Sequence, residues 1–133
     1  MLDFSWYQTL NQPPLAPPGW IFSPVWSVLY VSMFIALFMF TKENSFYSKK
    51  NGYWLFLSQL LVNFSWTPVF FGLKNIGLAL IISIILDVLV FFNIKEFYKI
   101  SRVSGIILIP YFIWLIFATY LNLGLLILNP LNA

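Results

Sequence analysis

Three sets of residues in this chain combine an aromatic ring with a hydrogen-bonding group at helical spacing. Gln59, Asn63, Trp66 and Phe70 stand at offsets of 0, 4, 7 and 11, which is one face of a helix. Pro110, Trp114, Ala118 and Asn122 follow one another at steps of four, and Trp26 and Tyr30 are again four apart. Stripes of this kind offer ring faces for stacking and amide, indole and phenol groups for hydrogen bonding. That is the chemistry of a binding pocket. Each residue alone also fits a plainer role. Asn and Gln bridge membrane helices at roughly 0.6 to 2 kcal/mol each, and Trp near a helix end belongs to the interfacial belt. Together the three stripes read as one aromatic-lined site, because belt residues scatter around a helix whereas these align with amides.

Asp87 sits in the middle of the apolar run IISIILDVLVFF. An ionised Asp there costs about 2.5 to 3.5 kcal/mol on insertion scales. It reads as a proton relay, a ligand contact or a protonated residue bridging helices, and the last, a structural role, is preferred over transport. The nearest cations along the sequence, Lys95 and Lys99, lie two and three turns onward. Other chemistry is excluded by composition. The chain has no His and no Cys, so a Ser-His-Asp triad, a disulfide and haem on a His or Cys axial ligand are ruled out. The commonest soft and imidazole metal ligands are missing with them, and no metal site is expected. No Gly-rich phosphate loop is present.

The elements that must position these stripes are transmembrane helices. Of the 133 residues, 61% are hydrophobic and 8% charged, against about 25% charged in a soluble domain. A chain this short cannot hide that much apolar surface in water, and a bilayer removes the need. Aromatics reach 21%, more than interfacial belts use. The expected architecture is an all-α membrane protein, a single domain over 1–133 with four spans at about 22–40, 53–71, 78–94 and 105–128. Pro24 suits the first turn of the first span, with Ser23 as its cap. Pro110 should kink the fourth span or reset its start. Residues 1–21 form a Pro-rich segment in which Pro13, Pro14, Pro17 and Pro18 exclude a regular helix. Phe4, Trp6, Tyr7 and Leu10 make it an interfacial anchor or a lid over the bundle. No secretory leader is expected, since a basic n-region is lacking and the prolines precede any long apolar run.

Basic residues set the orientation. Lys42, Lys49, Lys50, Lys95, Lys99 and Arg102 fall in the loops 41–52 and 95–104, against Lys74 alone elsewhere. The positive-inside bias places those two loops in the cytoplasm and residues 1–21 outside. The net charge of +3 is too small and dispersed for a nucleic-acid surface, so lipid is the expected macroscopic partner. Ala79 and Ser83, small residues four apart, suit a close helix approach, and a homodimer through the third span is expected.

The runs WYQTLNQPPLAPPGWIFSPVWSVLY, QLLVNFSWTPVFFG and PYFIWLIFATYLN resemble the signature of the tryptophan-rich sensory protein / translocator protein (TspO) family. Trp6, Tyr7, Pro17, Pro18, Trp20, Pro24, Trp26 and Tyr30 fit the first motif. Gln59, Asn63, Trp66, Pro68 and Gly72 fit the second, and Pro110, Tyr111, Trp114, Ala118 and Asn122 the third. The resemblance covers nearly the whole chain. It implies a membrane receptor or sensor whose helix bundle, five-membered in the family, binds porphyrins and other flat apolar ligands beneath the Pro-rich loop. The ligand-binding residues it implies are Tyr7, Phe22, Trp26, Tyr30, Asn63, Trp66, Trp114 and Ala118. A tetrapyrrole would stack on the indole and phenol faces and be bonded at its rim. The porphyrin enters as ligand, with no resident cofactor. Light-dependent porphyrin degradation, reported for some bacterial members, would fall to Trp26 and Trp114, and a non-catalytic scaffold is a third reading. The resemblance also implies dimerisation and a multi-pass place in a bacterial cell membrane. This chain departs from the pattern in three places. It starts at the W-Y motif, so the family's first helix is expected to be missing. Leu123 replaces the Tyr of the family's sterol-associated pattern, and no sterol site is expected there. The family's acidic position early in the third span is apolar, near Ile82, while Asp87 lies further along.

Overall fold

The computed structural model describes residues 10, 11, 13 and 22–129, with the side chains of Phe22 and Ser23 left aside. Among them are four long helices and no strand: α1 (Phe22–Lys42), α2 (Lys50–Thr67), α3 (Ile76–Ile100) and α4 (Arg102–Leu128). All four are long and apolar enough to cross a membrane. The 21 residues of α1 reach about 31 Å at ~1.5 Å each, matching a hydrocarbon core of ~30 Å. Apolar side chains cover the outside as well as the inside. Val28, Phe34, Leu61, Ile81 and Ile113 all stand exposed. In water this would be untenable, and in lipid it is the expected solvent-facing surface.

The helices pack in the order α1, α4, α3, α2, with α3 and α4 in the longest contact. The α3–α4 seam is tight because of Gly105. A Cβ there would lie 2.6 Å from the Cβ and 2.8 Å from the Cα of Tyr98. Helices α1 and α2 meet instead through long side chains, as in the Phe34–Phe56 ring pair at 6.2 Å. At the end where α1 finishes, Phe40 stacks on Phe97 at 4.2 Å and meets Tyr53 edge-on at 5.2 Å. A Cβ at Gly52 would strike the Phe40 ring at 2.4 Å.

Several boundaries differ from the sequence expectation. The polar stretch KEFYKISR is not a loop: α3 continues to Ile100 and α4 starts at Arg102, with Ser101 alone between them. Ser101 is extended (φ −134, ψ 108), and its hydroxyl accepts the N–H of Ser104 to cap α4. Lys99 and Glu96 pair at 3.3 Å across one turn. Polarity there marks where the helix leaves lipid, not where it ends. Helix α2 likewise begins three residues before the expected Tyr53. Pro110 lies inside α4 without resetting its start. Pro68 opens a π turn over Pro68–Gly72, closed by the Leu73 N–H bonding the Pro68 carbonyl at 3.0 Å. Lys74 follows with φ 53, the left-handed conformation that turns the chain into α3.

Ala79 and Ser83 are both buried inside the chain, at 0% and 4% exposure. A homodimer cannot use these two positions, because their small size serves the packing of the bundle itself. Of the N-terminal segment, Leu10, Asn11 and Pro13 are described, and the choice between anchor and lid otherwise lies outside the described residues. Leu10 is buried in one cluster with Phe70, Phe71, Ile76, Ala79 and Leu125. The Asn11 N–H donates to Asn129 Oδ1 at 2.9 Å, and Asn129 Nδ2 donates back to the Asn11 carbonyl at 3.0 Å. Pro13 closes on Gly124, where a Cβ would lie 2.5 Å from the proline ring.

Candidate functional site

The inward face of α2 carries Gln59 and Asn63, at 0% and 5% exposure. A buried amide in lipid needs partners, and these find them across the bundle. The Tyr30 hydroxyl on α1 donates to Asn63 Oδ1 at 2.5 Å. Asn63 Nδ2 donates to the Tyr111 hydroxyl on α4 at 2.8 Å, and that hydroxyl donates to Gln59 Oε1 at 2.8 Å. Gln59 Nε2 ends the series on Met33 Sδ at 3.6 Å, a weak acceptor. Two phenols and two amides thus tie three helices together where α1 and α2 stand apart. The group carries no formal charge, so it suits a neutral or polarisable partner better than an ion.

Aromatic rings surround this relay. Trp26 is half-buried, with its ring 5.7 Å from Tyr30 and 6.4 Å, edge-on, from Tyr111. Phe64 lies 5.7 Å from Tyr30 on the other side. Trp114 packs against the same apolar cluster and lies 5.5 Å from Phe117. Val31, Phe34, Ile35 and Phe38 form an open, exposed apolar face along α1 beside Tyr30.

Trp66 belongs to a different cluster. Its indole N–H donates to Asn122 Oδ1 at 3.1 Å, and Asn122 Nδ2 donates to the Ile76 carbonyl at 3.0 Å. Its ring stacks on Phe70 at 4.7 Å and meets Phe71 edge-on at 6.0 Å, close to buried Leu10. It therefore belongs to the end of the bundle where Leu10 is buried. Of the eight expected ligand residues, Trp26, Tyr30 and Asn63 come together directly and Trp114 shares their cluster. Trp66 packs in the separate cluster that includes Leu10, and Ala118 is half-buried on α4. Phe22 begins α1 with its side chain outside the described residues, as is the whole of Tyr7.

Tyr111 and Gln59 were not among the expected ligand residues, yet they join the relay into one network. A signal for Tyr111 existed. Positions 111, 115, 118 and 122 repeat the offsets of 59, 63, 66 and 70, and Tyr111, Leu115 and Asn122 are buried. The steps of four from Pro110 overshoot a 3.6-residue turn by about 40° each. That stripe winds from exposed Pro110 through half-buried Trp114 and Ala118 to buried Asn122.

Comparison with known proteins follows the same residues. The profile of the TspO/MBR family matches residues 2–128. The Tryptophan-rich protein TspO of Archaeoglobus fulgidus is 37% identical over 125 residues, covering 94% of this chain and 80% of its own length. The Translocator protein of Bos taurus is 35% identical over 121 residues, 90% of this chain and 72% of that protein. The protein CrtK of Rhodobacter capsulatus is 33% identical over 129 residues, 95% of this chain and 79% of its own.

Proposed function

The chain belongs to the TspO/MBR family, and from that premise we propose a membrane sensor or receptor that binds porphyrins and similar flat apolar molecules. The observation that carries this reading is the neutral phenol–amide relay Tyr30–Asn63–Tyr111–Gln59 with the Trp26 indole against both tyrosines. A tetrapyrrole presents a wide π-face to indole and phenol rings, and its rim nitrogens and carboxyls suit amide and hydroxyl partners. Entry beside Tyr30 along the exposed apolar face of α1 keeps the ligand in lipid, where it partitions. The six basic residues grouped at the Lys42–Lys50 and Lys95–Arg102 end support a cytoplasmic orientation of that end through the positive-inside bias.

The test is titration of the purified, lipid-reconstituted chain with protoporphyrin, read by Trp fluorescence quenching. Loss of the Trp26 stacking face removes about 0.5 to 1.5 kcal/mol and the associated burial about 1.5 to 3 more. Trp26→Ala should therefore weaken binding at least tenfold, at ~1.4 kcal/mol per decade. Trp54 is 59% exposed to lipid and serves as control, its alanine variant binding as wild type. Absence of saturable quenching in wild type, or equal loss in both variants, overturns the site. The contact of Trp26 with two tyrosines also favours one oxidative reading, porphyrin breakdown in light at Trp26 and Trp114. Product analysis in light against dark separates it from binding alone.

A further inference from the structure

The polar run KEFYKISR carries Lys95, Tyr98 and Arg102 at offsets of 0, 3 and 7, the spacing of one helical face. Phe91 and Phe92 extend that face by one turn toward the middle of α3. All five residues are exposed. Lys95 Nζ lies over the rings of Phe91 and Phe92, 5.6 and 5.9 Å from their centres, and the Arg102 guanidinium lies over the Tyr98 ring at 5.7 Å. Ring faces attract cations at such distances without neutralising them. The one acid of the run is turned elsewhere, since Glu96 pairs with Lys99. Neither Lys95 nor Arg102 is paired with a carboxylate among the described residues. Their depth follows from helix length. The 25 residues of α3 extend about 37 Å at ~1.5 Å each, some ~7 Å more than a hydrocarbon core of ~30 Å. The last turns of α3 therefore stand among lipid headgroups, and Phe91 and Phe92 stand beside acyl chains.

From this arrangement we propose that Phe91, Phe92, Lys95, Tyr98 and Arg102 form a binding site for an anionic glycerophospholipid, with the phosphodiester held by Lys95 and Arg102 and the acyl chains lying along the two phenylalanines. The guanidinium fork matches two phosphate oxygens and the ammonium adds a point charge. The Tyr98 hydroxyl, on the same face as both cations, is a further donor. The occupant must be an amphiphile of the membrane plane, because the cations and the exposed rings form one continuous face. A free phosphate or an acidic soluble protein would leave the rings unused. Flexible chains fit these rings better than a flat π-system does. Phe91 meets Phe92 at 74° and Phe112 at 45°, which makes a ridged surface and not a planar one. Charge is complementary as well. The segments 42–50 and 95–102 hold six basic residues against Glu43 and Glu96, a net of four positive charges. Lys42 also lies over a ring, that of Phe38 at 5.7 Å, but it is the one basic residue of α1 and has no second cation beside it on that helix. The proposed site instead spans the single-residue corner at Ser101, so a bound lipid braces α3 against α4.

Native mass spectrometry tests the assignment on the full chain, delipidated in a neutral detergent and titrated with phosphatidylglycerol or with phosphatidylcholine of the same acyl chains. Each basic residue beside an anionic lipid contributes about fivefold to binding. The first phosphatidylglycerol should therefore bind about tenfold or more tighter than phosphatidylcholine. Lys95→Gln with Arg102→Gln should weaken phosphatidylglycerol about 25-fold and leave phosphatidylcholine unchanged. Lys95→Gln alone should give about fivefold, which keeps the test intact if the pair misfolds. Lys42→Gln with Lys50→Gln removes the same charge from the same end and should keep wild-type binding, with helical circular dichroism verifying the fold of each variant. Equal loss in the two pairs overturns the site, since it reports only diffuse attraction to the charge of that end. So does phosphatidylglycerol binding no tighter than phosphatidylcholine. Excess inorganic phosphate should leave the lipid in place, and its displacement would make this a site for free anions and overturn the lipid assignment.

Discussion

Replacing Tyr111 by Phe removes one oxygen and leaves the ring, which is 1% exposed, in place. That oxygen receives from Asn63 and gives to Gln59, both at 2.8 Å, so two interhelical bonds are lost together. A buried group left unsatisfied in a water-soluble core costs about 1 to 3 kcal/mol. In membranes the cost is smaller, averaging ~0.6 and reaching ~1.7 kcal/mol per bond, because the unfolded helices find other partners in lipid. Two bonds at the membrane value give an expected loss of about 1 to 3 kcal/mol. Equilibrium unfolding in mixed micelles of rising dodecyl sulfate fraction, followed by helical circular dichroism, measures it. A double-mutant cycle with Gln59→Leu isolates the shared bond and should show a coupling of about 0.6 to 1.7 kcal/mol. The reasoning fails if Tyr111→Phe stays within about 0.3 kcal/mol of wild type, or if the two losses simply add within that margin. Porphyrin titration of the same variant adds a second readout. If the relay contacts ligand, affinity falls along with stability, whereas a purely structural relay loses stability alone.

Orientation is checked with single cysteines at exposed positions: Ser48→Cys and Val103→Cys should be shielded from an impermeant thiol reagent in intact cells, and Leu73→Cys should react. The opposite pattern inverts the assigned topology; Ser101 is unsuitable as a reporter, since it is only 6% exposed. Gly105→Ala should destabilise by about 1 to 3 kcal/mol through overpacking against the Tyr98 backbone, and unchanged unfolding would show that the seam can open without cost. Asn93 is 1% exposed with neither amide atom bonded among the described residues. Asn93→Leu should therefore raise stability by about 1 kcal/mol or more, and a loss instead would mean the amide holds a buried partner such as water.

Hydropathy and length made the spans legible in the sequence, and the grouping of basic residues made one end of the bundle recognisable. The Gln59–Asn63–Phe70 face was legible too, because amides in an apolar run must turn inward to be satisfied, and all three are buried. The three family motifs pointed to the residues that gather around Tyr30 and Asn63. What remained hidden has one physical origin. A helix in lipid is apolar on every side, so nothing in its pattern separates the face toward lipid from the face toward protein. Ala79 and Ser83 look the same whether they receive a helix of their own chain or of another, and only the fold turned them inward. On α4 the choice between the Pro110 stripe and the Tyr111 stripe rested on a 40° drift per step, about what a 3.6-residue turn imposes. The polar run at 95–102 recorded an exit from the bilayer while the backbone went on hydrogen bonding to Ile100. Asp87 announced a buried carboxyl by its position alone, but its partner lies 32 residues away on the neighbouring helix. That partnership, like the Tyr111 bridge, depends on which helices pack side by side, and packing order is a property of the tertiary structure.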